Sequence, residues 1–455
     1  MGTEFDVVFI GSGPAGFTGG IRAAHLGKSV CVIENNLLGG VCLNRGCIPS
    51  KSMLRSSQIY ADLFNTSKYG ISLENQSYDF SKMFELRTQT VNKIRASLEK
   101  NMKDNGITII QGTAKLDKNK KLTVKKDHEE IEINYKNLVI ATGSSPRMLP
   151  DLPEKYVLTS DTILELTELP ERTLIIGSGA IGTEWGRILN SLGKKVCIVE
   201  LAERLAPNMD ESISTTLSRI FRKQKIEFYT STSIEKIEEN TATFSNGKSF
   251  EFDKILVAIG RAPNTSGLEE AELEVERGFI KVDENFKTNL ENIYAVGDVT
   301  GKQMLAHTAS TQSKKLIEYL FLNKKIEINY KNIPSIIYGK PELATVGYTE
   351  QELQARGIEY KVSKLPLTIS AKAFIDEEFD GLVKVLSIDN KLVGASIVAN
   401  DASSLLQQLT IAIEEEISLD KLNDIVFAHP TTSEAINETL LNLEDKAIFV
   451  PKLKR

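Results

Sequence analysis

A chain of 455 residues is too long for a single hydrophobic core, and at roughly 100–200 residues per domain about three domains are expected. With 41% apolar and 25% charged residues the composition is that of an ordinary globular protein, and a formal charge of -6 lacks the basic surplus of a nucleic-acid binder. No apolar run reaches the roughly 18–20 residues of a membrane-spanning helix, and 4 cysteines are too few for a disulfide-stapled secreted scaffold, which favours a reducing, intracellular setting.

The chain goes straight into an apolar strand, "FDVVFIGSG", with no signal or transit segment ahead of it. The expected location is the cytoplasm, or an organelle matrix if a transit peptide has been removed. Residues 9–34 then read "FIGSGPAGFTGGIRAAHLGKSVCVIE", and residues 175–200 read "IIGSGAIGTEWGRILNSLGKKVCIVE", offset by 166 without a gap. Gly11, Gly13 and Gly16 match Gly177, Gly179 and Gly182, and Glu34 matches Glu200. Each copy predicts a strand, a glycine-rich turn, a helix, and a second strand ending in an acid 18 residues after the third glycine. That is the dinucleotide-binding unit. The first glycine permits the tight turn, the second lets a pyrophosphate approach the helix N-terminus, and the third permits close helix–strand packing. The acid accepts hydrogen bonds from ribose hydroxyls. Glu200 also repels a 2′-phosphate, so the second unit predicts NAD rather than NADP. Cys31 and Cys197 fall in the matching apolar strands and read as inert core.

Between the two copies lies "GGVCLNRGCIPSK", residues 39–51, with Cys42 and Cys47 five positions apart. A disulfide, a metal site and a redox pair are all open to such a spacing. Five residues of ideal helix rise about 7.5 Å, more than the roughly 4.4–6.8 Å between the Cα atoms of a disulfide. Gly46 breaks such a helix, and Pro49 suits the first turn of a new one, whose dipole would lower the pKa of a thiol at its start. So short a closed loop adds little stability, and zinc needs four ligands where the sequence offers no neighbours to complete a set. A redox pair is favoured. A dithiol beside one dinucleotide, with NAD on a second unit, implies a two-electron path that a flavin can connect, which makes FAD the inferred occupant of the first unit.

Residues 51–106 read as helical, with Phe84, Val91, Ile94, Leu98 and Met102 forming a packing stripe. Each nucleotide unit then closes with short alternating segments, expected as a β-meander, leading to "LVIATGSSPR" at 138–147 and "ILVAIGRAPN" at 255–264. A further strand, "NIYAVGDVTG", is expected to end at Asp298, facing a ligand crevice. From about residue 330 hairpin-like strands alternate with helices and read as a separate α+β domain. Of the four histidines, His25 and His128 read as structural or solvated, His307 stands at a helix start, and His429 lies five residues before Glu434, a plausible imidazole–acid pair.

At these residues the chain resembles the flavin-dependent disulfide reductases. The motifs "GGVCLNRGCIPSK", "ATGSSPR", "IGRAPN", "YAVGDVTG", "MLAH", "YGKPELATVGYTE" and "HPTTSE" carry the resemblance over essentially its whole length. It implies two Rossmann-like domains, for FAD (1–143) and NAD (144–263), a central segment (264–329) completing the FAD site, and a C-terminal α+β dimerisation domain (330–455). Cys42 would be the interchange thiol and Cys47 the thiolate facing the flavin. Lys51 would sit near the flavin and pair with Glu184, Asp298 would bind its ribityl chain, and Gly143 and Gly260 would lie at the cofactors. His429, oriented by Glu434, would be the acid–base and come from the other subunit of a homodimer. The implied reaction is NAD-dependent oxidation of dihydrolipoamide carried on lipoyl domains of 2-oxoacid dehydrogenase or glycine cleavage complexes. A glutathione-type reductase and a non-catalytic flavin-binding redox sensor are the alternatives. Two departures are Phe427, where the family often has another histidine, and Arg45, where it often has valine.

Overall fold

The first glycine-rich turn hangs from the centre of a parallel sheet. In the computed structural model, which describes residues 4–126 and 129–451, strand Val7–Ile10 lies between Val30–Glu34 and Leu138–Ile140. Thr108–Gln111 and Ile293–Ala295 form the edges. His128 lies outside the described residues. Val7, Val8 and Phe9 are fully buried, as a strand covered on both faces must be. The expected opening strand is split: Glu4–Phe5 pairs instead with Glu129–Tyr135 of the meander.

The helices that position the site are α1 (Pro14–His25), α2 (Gly40–Arg45), α3 (Cys47–Asp62), α4 (Phe80–Asp104), α5 (Ala180–Ser191), α6 (Glu211–Lys223) and α7 (Ala306–Leu322). The α7 residues Leu316 and Ile317 pack into one core with Phe9 and Val32. Segment 264–329 thus supplies both an edge strand and a covering helix to the first unit. The stripe on α4 is only partly used. Val91 and Met102 are buried, but Ile94 between them is 41% exposed, because the neighbouring helices cover only part of the apolar face.

The second unit repeats the design with a five-stranded parallel sheet ordered Val157–Leu158, Lys254–Val257, Arg172–Ile176, Lys195–Val199 and Glu227–Tyr229. Both meanders form, and each returns its chain to the main sheet. The chain enters and leaves this unit through Ser144–Pro146 and Arg261–Pro263, which pair antiparallel. From Ser335 onward a five-stranded antiparallel sheet takes over. Its hairpin, Leu382–Ile388 with Lys391–Ala399, turns at Asp389 and Asn390, whose φ values of 47° and 64° are those of a tight primed turn. No helix among the described residues is long and apolar enough to cross a membrane.

Candidate active site

Gly11 and Gly177 adopt φ of 104° and 98°, open only to glycine at low cost. A Cβ on Gly16 would sit 1.9 Å from the Gly11 carbonyl oxygen, and one on Gly182 would sit 2.0 Å from that of Gly177. These third glycines are therefore fixed by backbone packing. The second glycines differ: a Cβ on Gly179 would meet nothing within 4 Å, and one on Gly13 only the Gly40 Cα at 3.9 Å. That open space at each helix start is what a pyrophosphate needs.

The two acids are anchored in the same way. Glu34 Oε2 accepts from the Ser12 amide (3.0 Å) and hydroxyl (2.5 Å), and its Oε1 from the Asn36 amide (2.8 Å). Glu200 Oε2 accepts from the Ser178 amide (2.8 Å) and hydroxyl (2.7 Å), and its Oε1 from the Ala202 amide (2.8 Å). The serines went unread in the sequence, although their signal was there: both turns are spelled G-S-G. Arg204, the nearby cation, donates to the carbonyls of Pro207 and Met209 instead of facing Glu200.

One cavity of about 1240 Å³ joins much of this chemistry. The loop Gly11–Pro14, Glu34, Cys42, Cys47, Lys51, Gly143, Glu184 and Asp298 all line it. Gly177, Gly179, Gly182, Glu200 and Gly260 do not, although Ala180 and Ile181 at the start of α5 reach in from the second unit. The volume, the open helix N-terminus and the anchored carboxylate suit FAD along the first turn, and the matching turn at Gly179 suits a second dinucleotide.

The dithiol is held directly against the first turn. Gly40 (φ 66°) lies so close that a Cβ on it would be 2.6 Å from the Gly13 Cα. Helix α2 ends at Gly46 (φ -141°, ψ -115°), and Cys47 is the first residue of α3. Ser50 Oγ donates to the Gly46 carbonyl at 2.7 Å and steadies the break. Both cysteines are free thiols here and share a proton, Cys42 donating to Cys47. This hydrogen bond, followed by burial, pushes Cys42 far above the usual thiol range. The same bond, helped by the charge of Lys51, draws Cys47 down from 9.0 to about 7. Burial raises Cys31 to about 12 and, with the charge of Glu227, raises Cys197 as well, and both stay inert.

A pH signature follows for the dithiol state. Between pH 7 and 9 the unfolded chain keeps a proton that folded Cys47 has released, so stability rises with pH. A two-unit shift corresponds to roughly 2.7 kcal/mol. Above pH 9 the sign reverses, because folded Cys42 holds its proton when unfolded thiols lose theirs. Urea midpoints of the reduced protein should therefore climb across this window relative to Cys42→Ser/Cys47→Ser. Parallel curves would show that the two thiols are uncoupled.

Around the dithiol, Lys51 Nζ donates to both oxygens of Glu184, at 2.9 and 2.7 Å, although the two are 133 residues apart. Tyr338 completes the group: its amide donates to Glu184 at 3.1 Å, and Lys51 Nζ lies 4.6 Å from its ring centroid. Tyr338 opens the motif "YGKPELATVGYTE", but the sequence assigned it no role. Asp298 stands in the turn Gly297–Thr300, past the strand that ends at Ala295 and not at its last residue as expected. Ser144 Oγ donates to it at 2.5 Å and in turn receives Arg261 Nε at 2.7 Å. Burial holds the Asp298 carboxyl above the usual range. Arg45 also lines the cavity, 3.9 Å from Asp161, whereas Phe427 packs on the core of the C-terminal domain.

His429 Nδ1 lies 2.9 Å from Glu434 Oε1, and Glu434 Oε2 accepts from the Thr431 amide at 2.9 Å. The amide, and then the imidazole, hold this carboxyl below its usual range. The imidazole is 71% exposed and does not line the cavity of its own chain.

Comparisons with known proteins agree with this architecture. A family profile described as pyridine nucleotide-disulphide oxidoreductase matches residues 5–313, and the dimerisation domain of the same family matches residues 333–440. The chain is 34% identical to a dihydrolipoyl dehydrogenase of Chlamydia muridarum, with 100% of both chains covered. It is also 34% identical to that of Bacillus subtilis, over 96% of this chain and 95% of the relative. The crystal structure of LpdA from Mycobacterium tuberculosis shares the fold, with a TM-score of 0.90 at 24% identity over 96% of this chain and 99% of that one.

Proposed function

Because the chain belongs to the pyridine nucleotide-disulphide oxidoreductase family, we propose that it acts as a dihydrolipoyl dehydrogenase using FAD and NAD. Dihydrolipoamide is oxidised to lipoamide while the Cys42–Cys47 disulfide is reduced to the dithiol, and the same two electrons finally reduce NAD+ to NADH. Residues 1–143, with 264–329, are assigned to FAD, 144–263 to NAD and 330–455 to the dimer. The observation that carries the reading is the cavity in which an acidified Cys47 meets the first dinucleotide turn.

In the first step Cys42 exchanges with a substrate thiol, and Cys47 leaves as the thiolate that Lys51 and the α3 N-terminus stabilise. Glu184 fixes the ammonium of Lys51, and the second unit thereby helps to orient the first. The Nδ1–Glu434 contact leaves Nε2 of the imidazole turned outward, so the partner's His429 takes the thiol proton across the dimer interface. Glu34 would hold the ribose of the first nucleotide, Glu200 that of the second, and Asp298 the polyol chain of the flavin. Bound FAD supplies the two-electron relay between dithiol and nicotinamide.

The dimerisation-domain match supports a homodimer. We extend this to a shared active site, to lipoyl domains of 2-oxoacid dehydrogenase or glycine cleavage complexes as partners, and to the cytoplasm or an organelle matrix as the location.

Steady-state assays of the FAD-loaded protein test the reading. Dihydrolipoamide with NAD+ should turn over, and glutathione disulfide and NADP should serve poorly. Glu200→Ala should cut the preference for NAD over NADP by roughly tenfold or more, since a like charge facing the 2′-phosphate is removed. Efficient glutathione reduction with NADPH would assign a different substrate, and binding of FAD without multiple turnovers would leave a redox sensor.

A further inference from the structure

Lys384 stands on the strand Leu382–Ile388 of the C-terminal domain and is 3% exposed. Its ammonium is held by acids of two different units. Nζ donates to both oxygens of Asp210, at 2.8 and 3.0 Å, and lies 2.6 Å from Glu350 Oε2. Asp210 belongs to the second nucleotide unit, where it caps α6 by accepting from the Ser212 amide at 2.9 Å and hydroxyl at 2.6 Å. It is fully buried and 174 residues from Lys384 in sequence. Two more donors reach over from the C-terminal domain. The Glu350 amide donates to Asp210 at 3.0 Å, and Gln351 Nε2 donates to the adjacent Met209 carbonyl at 3.0 Å.

A helix cap needs no ammonium, and a buried ion pair adds little to stability once the desolvation of its charges is counted. What such a group can do is hold one geometry. The geometry here is that of segment 201–210, which runs from Glu200 to Asp210. Arg204 Nη2 ties the Pro207 and Met209 carbonyls together, at 2.8 and 3.1 Å. The Met209 amide donates to the Ala206 carbonyl at 3.0 Å. Ala206 is held in the left-handed region, at a φ of 47°, and its amide donates to the Ser178 carbonyl at 3.3 Å and hydroxyl at 3.2 Å. Ser178 is the residue that anchors Glu200. The apolar side chains run the same way: Leu205, Ala206 and Met209 share one core with Leu343 and Val398 of the C-terminal domain. A continuous run of contacts therefore joins Lys384 to the ribose acid.

We infer that Lys384, helped by Gln351, is a positioning residue for NAD. It fixes segment 201–210 so that Glu200 meets the adenosine ribose in one orientation, and the C-terminal domain thereby sets part of the cofactor preference of another unit. The inference rests on the assignment of the second nucleotide to Glu200.

The test is calorimetric titration of the FAD-loaded protein with NAD+ and with NADP+, together with steady-state assays. Lys384→Met should weaken NAD+ binding about fivefold or more and raise its KM with little change in kcat, the scale on which a residue acting through others is felt. NADP+ binding should change less, so the preference for NAD falls. Gln351→Leu should act in the same direction more weakly. It removes only neutral hydrogen bonds, and it decides the matter if Lys384→Met fails to fold. In a Glu200→Ala background Lys384→Met should add nothing, because the group it positions is gone. Unchanged NAD+ affinity in both single variants overturns the inference, as does an equal loss for the two nucleotides or a full further loss in the Glu200→Ala background. If Glu200→Ala itself leaves NAD+ and NADP+ binding untouched, the ribose assignment fails first and the positioning role falls with it.

Discussion

Cys47→Ser is expected to lower dihydrolipoamide turnover by about 10³-fold or more, the scale on which loss of a covalent participant is felt. The reason lies in the pair and not in one sulfur. Cys42 stays protonated because it donates to Cys47, and Cys47 ionises near pH 7 because it receives that bond beside Lys51. A hydroxyl at position 47 neither ionises in this range nor closes the bond to Cys42. The FAD-loaded variant should stay yellow and should still pass electrons from NADH to a one-step artificial acceptor, since neither nucleotide turn is altered. Both activities must be measured together. Loss of both would mark a damaged fold, and retention of full lipoamide turnover would falsify the dithiol relay.

His429→Gln is expected to cost about 10²–10⁴-fold with dihydrolipoamide, the usual worth of a positioned acid–base group. It should spare the artificial-acceptor reaction, because electrons passed from NADH to such an acceptor require no proton transfer from a substrate thiol. Subunit mixing gives the sharper measurement. Unfolding and refolding Cys47→Ser and His429→Gln proteins together should restore activity in about a quarter of all sites, because half the random dimers are mixed and each mixed dimer holds one intact site. Mixed dimers as inactive as either parent would place the histidine and the dithiol of a working site in the same chain, against the shared-site reading.

The parts of the protein that were legible in the sequence are those governed by local backbone rules. Gly11 and Gly16 announce themselves because a tight turn and a helix packed onto it exclude any side chain, and the same exclusion recurs at Gly177 and Gly182. Gly46 between Cys42 and Cys47 announces the helix break that lets the thiols meet. Two repeated units imply two parallel sheets, since each strand–helix–strand segment has one workable hand.

Other features were beyond reach because they depend on which distant segments arrive at the same place. The strand and helix of 293–322 join the first unit only because its sheet has a free edge beside Leu138–Ile140 and an uncovered face above Phe9. Tyr338 reaches Lys51 and Glu184 only when the C-terminal domain docks on both nucleotide units. The stripe on α4 misled for the same reason: periodicity shows that a face is apolar, not how much of it a neighbour covers.

The sequence by itself determined the two nucleotide turns, the dithiol and the order of the units, because glycine sterics, helix starts and thiol spacing act within a few residues. The resemblance already implied that Lys51 pairs with Glu184 and that His429 serves the other subunit, but only the tertiary structure brought Glu184 to Lys51, set Ser144 and Arg261 around Asp298, and turned His429 outward. Those contacts span from 117 to 154 residues for the pairs at Lys51, Ser144 and Asp298, and no local preference acts over such separations. What joins them is the burial of apolar faces, which brings whole units together and carries the polar groups with them.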